Sequence, residues 1–402
     1  DLVIDSTLVG LASAFPEPFN KEAGESMPLR LEKKLLPLVP PVRGEKADPT
    51  VRDQLSTSLG SVMSMQLIRR KQAGGFVPER GAIAVGRPLQ LPERGVTFGL
   101  TARRIDLDYW RRVYRSAGAV AAPVAVPATV PSAAVPSTAV QAAAAAPAST
   151  FLDSINIKTA DLILLGRHFN DVDLTAVPAP AQVRISLNSR QANGELVWES
   201  AGSGKVTARF KQWALLSASV QAEPDAGEAL KELPALDIVV DDFSLGVRRF
   251  GRLEVQARNE GGVWHLNSIQ ASNPHGNLSG SGQWQIAGGK SRTQLDFRIN
   301  SNDVGKLLDR LGYPGTVRAG TAQMDGKIGW NDTPTALDFG SLSGELNLEA
   351  SKGQFVKLDP GAAGKLLGLM SLQGLTRRIT FDFNDVFSEG FAFDSIAGKV
   401  AM

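Results

Sequence analysis

The sequence predicts a mainly β protein: a long, curled antiparallel sheet that forms an open, taco-like β-groove with a few short covering helices. Strict alternation of apolar and polar residues dominates residues 151–402, and such strands bury one face and leave the other in water. Tight-turn sequences such as Asn193-Gly194 separate the alternating segments. Parallel βαβ units would need a helix between most strands, and the sequence offers few helices.

Three segments follow one another along the chain. Residues 1–115 alternate short strand patterns with Gly and Pro breaks, which predicts a first β-groove segment. Residues 116–150 are rich in Ala and Pro, cannot bury a core, and are predicted to be a disordered linker or loop. Residues 151–402 are the most regular and are predicted to form a C-terminal β-groove segment.

The apolar residues of the alternating strands are the candidate functional residues. A sheet with so many strands rarely closes into one sandwich, and few helices exist to cover it. We therefore predict that the apolar faces line a groove, although the core of a β-sandwich is the plain alternative. The predicted lining residues are Val183, Ile185, Leu187, Leu295, Phe297, Ile299, Leu346, Leu348, Ile379, Phe381, Phe383, Phe391 and Phe393.

Two helices stand out in the third segment. The first is predicted near 302–311, with Asn302 or Asp303 as its cap and Gly312 at its end. The second is predicted near 360–373, and its apolar residues cover more than one narrow stripe. It is expected to cap the groove or contact a membrane, with a packed cover helix as the alternative. Its candidate residues are Leu366, Leu367, Leu369, Met370 and Leu372.

Composition argues against several classes of function. The 402 residues carry 43 basic and 41 acidic side chains, a net charge of +2, which gives no reason to expect a nucleic-acid partner. Cysteine is absent, and the three histidines are not spaced as metal ligands. The segment "AGSGKV" lacks phosphate-loop spacing. We therefore expect no enzyme activity, no metal and no cofactor.

The opening residues do not resemble a secretory signal, and no run of 18 apolar residues predicts a membrane span. Both ends fall within strand-like patterns. We interpret the chain as a fragment of a longer protein, whose anchoring or targeting segments would lie outside it.

Several motifs in order resemble the YhdP family of AsmA-like proteins of the Gram-negative envelope. They are "GVWHL", "GSGQW", "GKLLDRLGYPG", "GKIGW", "GQFVKLDPG" and "DFNDVFSEGFAFDSIAGKV", with "IDLDYWRRVY" nearer the start. The resemblance covers most of the chain apart from 116–150. It implies a periplasmic lipid bridge with an inner-membrane anchor helix outside this chain. It also implies phospholipid movement towards the outer membrane, support of the permeability barrier, and no catalytic residues to transfer.

Two functions are therefore weighed. The first is phospholipid transport along the groove, with membranes at both ends and unknown envelope protein partners. The second is a structural or assembly scaffold of the envelope whose apolar face is filled by its own side chains. Lipid that copurifies with the protein would favour the conduit, whereas a lipid-free, thermally stable protein would favour the scaffold.

Overall fold

The structure is a computed structural model that describes residues 1–37, 50–120, 151–164, 166–215, 233–287, 290–334, 338–356 and 391–402. The chain divides into an N-terminal unit, Asp1–Arg190, and a C-terminal unit, Gln191–Met402. The sequence placed its segment boundaries at 115 and 150. Both of those positions lie inside the N-terminal unit.

The described part of the N-terminal unit contains nine strands and one helix. The strands are β1 (Leu2–Ser6), β2 (Leu29–Leu35), β3 (Arg52–Leu59), β4 (Met63–Gln72), β5 (Gly75–Val85), β6 (Gly95–Asp106), β7 (Ser154–Leu164), β8 (Arg167–Ala179) and β9 (Gln182–Asn188). Helix α1 (Leu107–Val120) follows β6, and the Asp106 carboxylate accepts a hydrogen bond from the Tyr109 backbone N–H at its start.

Each strand of the N-terminal unit pairs with its neighbours in the chain. Six pairings are antiparallel, whereas β5–β6 and β6–β7 are parallel. The crossover between β5 and β6 is the short connection 86–94. The crossover between β6 and β7 contains α1 and the Ala/Pro-rich segment, so this segment connects two strands that are adjacent in one sheet.

Within its described residues, the C-terminal unit contains ten strands and a second helix. The strands are β10 (Ala192–Glu199), β11 (Lys205–Leu215), β12 (Ala235–Leu245), β13 (Arg248–Glu260), β14 (Val263–Asn273), β15 (Gly276–Ala287), β16 (Lys290–Ser301), β17 (Val317–Trp330), β18 (Ser343–Phe355) and β19 (Phe391–Ala401). Only β11–β12 is parallel; the other pairings from β10 to β19 are antiparallel.

Hairpin chemistry explains this meander. The β13–β14 turn uses Gly261 and Gly262, with φ of 61° and 80°. These left-handed values suit a tight turn that matches the twist of the two strands, and glycine adopts them without steric cost. Nearest-neighbour pairing follows directly from such short turns.

Helix α2 (Val304–Arg310) confirms the helix predicted near 302–311. The Asp303 carboxylate caps it by accepting from the Lys306 backbone N–H at 3.0 Å. A Cβ added at Gly312, just after the helix, would lie 3.2 Å from Val247 in the β12–β13 turn. On a flat sheet that turn would lie roughly 19 Å away, four strand spacings from β16. The margin of the C-terminal sheet therefore curls around α2.

The mainly β fold is confirmed, with short helices and an open, mostly antiparallel sheet in each unit. Among the described strands of each unit, no pairing joins the last strand back to the first. Three parallel pairs, β5–β6, β6–β7 and β11–β12, occur among the otherwise antiparallel pairings within the two units. The helix predicted at 360–373 lies outside the described residues.

Candidate functional site: a one-sided apolar face in each unit

Register places the apolar side chains of the C-terminal unit in three continuous rows across the sheet. Residues that are direct cross-strand partners share one face, so each row can be followed from strand to strand. The central row contains Leu196, Ala208, Ile238, Val255, Ile269, Gly280, Phe297, Gly326, Leu346 and Val400.

Two further rows flank the central one. One contains Gly194, Phe210, Val240, Leu253, Ala271, Leu278, Ile299, Met324, Leu348 and Gly398. The other contains Trp198, Val206, Leu236, Ala257, Leu266, Gly282, Leu295, Ile328 and Gly344. Every member is apolar or glycine, so no polar side chain interrupts these rows. Ten strands at about 4.8 Å spacing give a continuous apolar stripe about 40 Å long.

The apolar face of the C-terminal unit is only partly covered by protein. From β13 to β18 most row residues are half-buried, including Phe297, Ile299, Leu346 and Leu348. A closed sandwich would bury such side chains almost completely, as the core of a globular domain does. The face is therefore open to a ligand of apolar character along much of its length.

The opposite face of the same strands is polar and solvated. Lys327 pairs with Asp296 at 3.3 Å, and Lys399 pairs with Glu345 at 3.1 Å. All four side chains are more than half exposed. Exposed pairs of this kind contribute little stability, and they keep the outer face in water.

Glycines on the apolar face allow neighbouring strands to approach closely. A Cβ added at Gly326 would lie 2.6 Å from the Glu345 carbonyl oxygen, and one at Gly282 would lie 2.3 Å from that of Gln294. Any larger residue would have to push the adjacent strand away. Glycine at these positions is therefore needed for the geometry of the apolar face.

One end of the face is filled by the protein itself. Val240 and Phe210 are fully or almost fully buried. Trp213 lies 5.2 Å from Phe210 and 6.4 Å from Phe243, ring centroid to ring centroid. The face therefore changes from a self-packed aromatic end at β10–β13 to a half-open stripe beyond it.

The N-terminal unit carries rows of the same kind. Two rows run from β2 to β9, and Thr57 is their only polar member. The first contains Leu31, Thr57, Met65, Ile83, Phe98, Ile155, Ala176 and Ile185. The second contains Leu29, Leu59, Met63, Val85, Leu100, Ile157, Leu174 and Leu187.

The structure brings together many of the residues predicted from the sequence. Leu295, Phe297, Ile299, Leu346 and Leu348 lie in the rows of the C-terminal unit. In the N-terminal unit, Ile185 and Leu187 end the two rows on β9. Val183 lies on the same strand and pairs with Pro178 of β8.

Strand β19 brings two further apolar residues to this face. Register places Ile396 and Val400 opposite Ala350 and Leu346, so both lie on the apolar face, and Val400 ends the central row. Phe393 instead lies beyond the left-handed residue Lys352 (φ 55°), where its ring contacts Phe355 at 5.3 Å.

Other predicted residues cannot be placed. The backbone of Phe391 pairs with that of Phe355, and its side chain is not described. The remaining predicted residues lie outside the described part of the chain: Leu366, Leu367, Leu369, Met370, Leu372, Ile379, Phe381 and Phe383.

Among the described residues, the carboxylates with displaced pKa values are helix caps or members of surface ion pairs. The hydrogen bond from Lys34 lowers the pKa of Glu32, and the backbone N–H of Lys306 lowers that of Asp303. Hydrogen bonds from Ser341 and Gly340 lower the pKa of Asp338. These groups are caps and surface pairs, an arrangement that offers no general acid or base.

The described residues contain no group of three or more His, Cys, Asp or Glu side chains that could hold a metal ion. No helix among them is both long enough and apolar enough to span a bilayer.

Comparison with known proteins assigns the family. The family model described as "YhdP protein" matches residues 1–402. The chain belongs to the YhdP family. It is 22% identical over 257 residues to the intermembrane phospholipid transporter YhdP of Escherichia coli strain K12.

That alignment covers 62% of this chain and 20% of the curated relative. The chain therefore spans about a fifth of the length of the YhdP relative that it matches. No solved structure matches the chain.

Proposed function

We propose that this chain is a non-enzymatic segment of a phospholipid conduit between the inner and outer membranes. Acyl chains would lie on the apolar rows, and headgroups would stay near the open side of each sheet. The proposal places the chain in the periplasm as part of an inner-membrane-anchored protein that supports the outer-membrane permeability barrier. Membranes and unidentified envelope proteins would be its partners.

One observation carries this proposal: three rows without a polar member cross nine or ten strands each, and much of that face is half-buried. A lipid must avoid polar breaks to move along a surface, because each uncompensated polar contact costs free energy. The relative's printed role as an intermembrane phospholipid transporter agrees with such a surface.

The energy of transfer fits a lipid ligand. Each methylene removed from water gains about 0.8 kcal/mol, so a chain of about 16 carbons gains roughly 12 kcal/mol. A stripe about 40 Å long can hold an extended acyl chain with room to slide. The free energy of a bound acyl chain changes little along the path because the rows stay apolar from strand to strand.

The predicted residues take specific places in this proposal. Leu295, Phe297, Ile299, Leu346 and Leu348 would form the lipid-facing surface of the C-terminal unit, and Val183, Ile185 and Leu187 that of the N-terminal unit. Two further proposals rest on the sequence alone. One is that the groove is lined also by residues 379, 381, 383, 391 and 393. The other is that the helix 360–373 caps the groove or contacts a membrane.

A structural scaffold is the second candidate function, and the buried end of the face favours it. Around Val240 and Phe210 the protein fills its own apolar surface, as a scaffold would do throughout. The half-buried rows from β13 onward distinguish the two candidates, because a self-filled core leaves no such surface.

A charge placed in the rows tests the conduit. We expect Phe297→Asp to reduce phospholipid transfer between donor and acceptor vesicles by about tenfold or more, since a carboxylate in the path must be desolvated by each passing chain. Asn277→Asp adds the same charge at an exposed position of the neighbouring strand, on the polar face.

The control should retain transfer within about twofold of the wild type, because its carboxylate stays in water. Circular dichroism verifies that both variants are folded. Transfer that survives Phe297→Asp and a second substitution, Leu348→Asp, would rule out movement along these rows.

A further inference from the structure

The apolar face of the N-terminal unit ends at one margin in a compact charged cluster, formed by Lys33, Asp53, Arg69 and Phe76. Asp53 lies directly opposite Arg69, and Lys33 lies opposite Leu55. Residues two apart on a strand share a face, so Asp53 and Arg69 follow directly after Leu55 and Leu67 on the apolar side. The cluster is therefore continuous with the apolar surface and separate from the solvated face.

Arg69 alone satisfies the buried carboxylate of this cluster. The Asp53 side chain is fully buried, and its two oxygens accept from Arg69 Nε at 2.9 Å and Nη2 at 2.8 Å. Such a bidentate pair neutralises a carboxylate that would be costly to bury alone. Asp53 needs no second cation.

Lys33 nevertheless lies at the same place. Its Nζ is 3.6 Å from Asp53 Oδ2, which is too long for a good hydrogen bond, and its side chain is 41% exposed. One carboxylate and two cations leave one surplus positive charge at the margin of the apolar face. Among the described residues, Arg69 Nη1 also has no hydrogen-bond acceptor.

Phe76 holds the two cations in position. A register shift in the β4–β5 pairing after Ile68 brings Phe76 onto this face. The ring centroid lies 5.2 Å from Lys33 Nζ and 5.5 Å from the Arg69 guanidinium carbon. Cation–π contacts at these distances restrain both side chains without neutralising their charge. The positive groups are thus preorganised.

We propose that Lys33 and Arg69 bind the phosphodiester of a phospholipid whose acyl chains lie on the adjacent apolar rows. This inference deepens the proposed conduit and rests on it. Leu31 and Leu55 lie beside the site, about 7 Å or less along or across the strands, so a lipid bound there has both its charge and its chains accommodated. Free inorganic phosphate shares the oxyanion chemistry but lacks the chains.

The plain alternative is that the cluster only closes the end of the sheet. That role needs Asp53 and Arg69, whose removal would leave an uncompensated buried charge and risk unfolding. It does not need Lys33, since Arg69 already satisfies Asp53. Lys33 is therefore the residue that distinguishes a ligand site from a structural ion pair.

The test compares a phospholipid with its phosphate-free counterpart. Binding of phosphatidylglycerol and of diacylglycerol with the same acyl chains is measured on the purified chain, using fluorescent acyl analogues. Lys33→Met removes the surplus charge. Lys34→Met removes the same charge from the next residue, whose side chain points to the polar face and pairs with Glu32.

We expect Lys33→Met to weaken phosphatidylglycerol binding about threefold to tenfold, the loss of one charge-assisted contact at a partly exposed site. Diacylglycerol binding should be unchanged, Lys34→Met should resemble wild type, and Lys33→Arg should restore binding. If circular dichroism shows that Lys33→Met is misfolded, the salt dependence of lipid binding by the wild-type protein is measured instead. Raising salt from about 0.05 M to about 0.5 M should then weaken phosphatidylglycerol binding only.

Several results would overturn the inference. Equal binding of both lipids by wild type and Lys33→Met would show that the cations contribute nothing. Inorganic phosphate that binds as tightly as phosphatidylglycerol would assign the site to the free ion. Wild-type protein that binds neither lipid would overturn the conduit itself, a failure distinct from loss of headgroup selectivity alone.

Discussion

Single glycines decide how closely the strands of the C-terminal unit can approach. Gly326 lies between Phe297 and Leu346 in the central row, where the next strand's backbone occupies the space that a Cβ would need. Gly398 lies at the far end of the neighbouring row, and nothing lies within 4 Å of its would-be Cβ. Comparing substitutions at Gly326 and Gly398 therefore distinguishes a steric clash from the general cost of replacing a glycine.

We predict that Gly326→Ala destabilises the protein by about 1–3 kcal/mol, the usual cost of overpacking. Gly398→Ala should change stability by less than about 1 kcal/mol. Denaturant unfolding of the full chain measures both values. Equal stability of the two variants would mean that the close approach at Gly326 is relaxed at little cost.

The same glycines explain why sequence reading found only part of the face. Phe297 and Leu346 were predicted because they alternate with polar residues in unbroken runs. Their partners on β15 and β17 were missed because Gly280, Gly282 and Gly326 occupy apolar-face positions and hide the alternation. Strand register cannot be read from the sequence, and it is register that places Ile396 and Val400 on the apolar face.

At the scale of elements, the crossovers were the hardest features to predict. The β5–β6 connection spans only 86–94, and no helical pattern in that stretch indicates a parallel pair. The compact loop packs Arg87 over Gly99, where an added Cβ would lie 3.0 Å from Arg87 Cδ. By contrast, α2 was predictable because its cap and its glycine stop are local signals.

The cap of α2 gives a prediction at this scale. Asp303→Ala should lower the free energy of unfolding by about 1 kcal/mol at neutral pH, whereas Asp303→Asn should lose much less because the amide oxygen still caps the helix. Chemical denaturation at several pH values measures both.

The pH dependence of that difference follows from the lowered pKa of Asp303. A carboxyl with a depressed folded pKa stabilises the fold above its unfolded value of 3.8 and loses that contribution as pH falls through the folded value. The gap between wild type and Asp303→Ala should therefore narrow below about pH 4. A difference in the free energy of unfolding that stays constant from neutral to acid pH would contradict the role of a charged Asp303 as the helix cap.

At the scale of the whole molecule, each unit has an apolar face that the protein covers only in part. Half-buried rows leave hydrocarbon in contact with water at about 25 cal/mol per Å², a cost that a bound lipid would remove. A large apolar surface of this kind on a protein normally marks a binding function. The account predicts that lipid, and not other protein segments, occupies it.

Site-specific photo-crosslinking tests that claim most directly. A photoreactive amino acid is placed at Leu346 on the apolar face or at Asn347, the next residue, which is exposed on the polar face. The protein is then exposed to vesicles of radiolabelled phospholipid and irradiated. The account predicts lipid adducts at 346 and almost none at 347, and equal labelling at both positions, or none at 346, would contradict it.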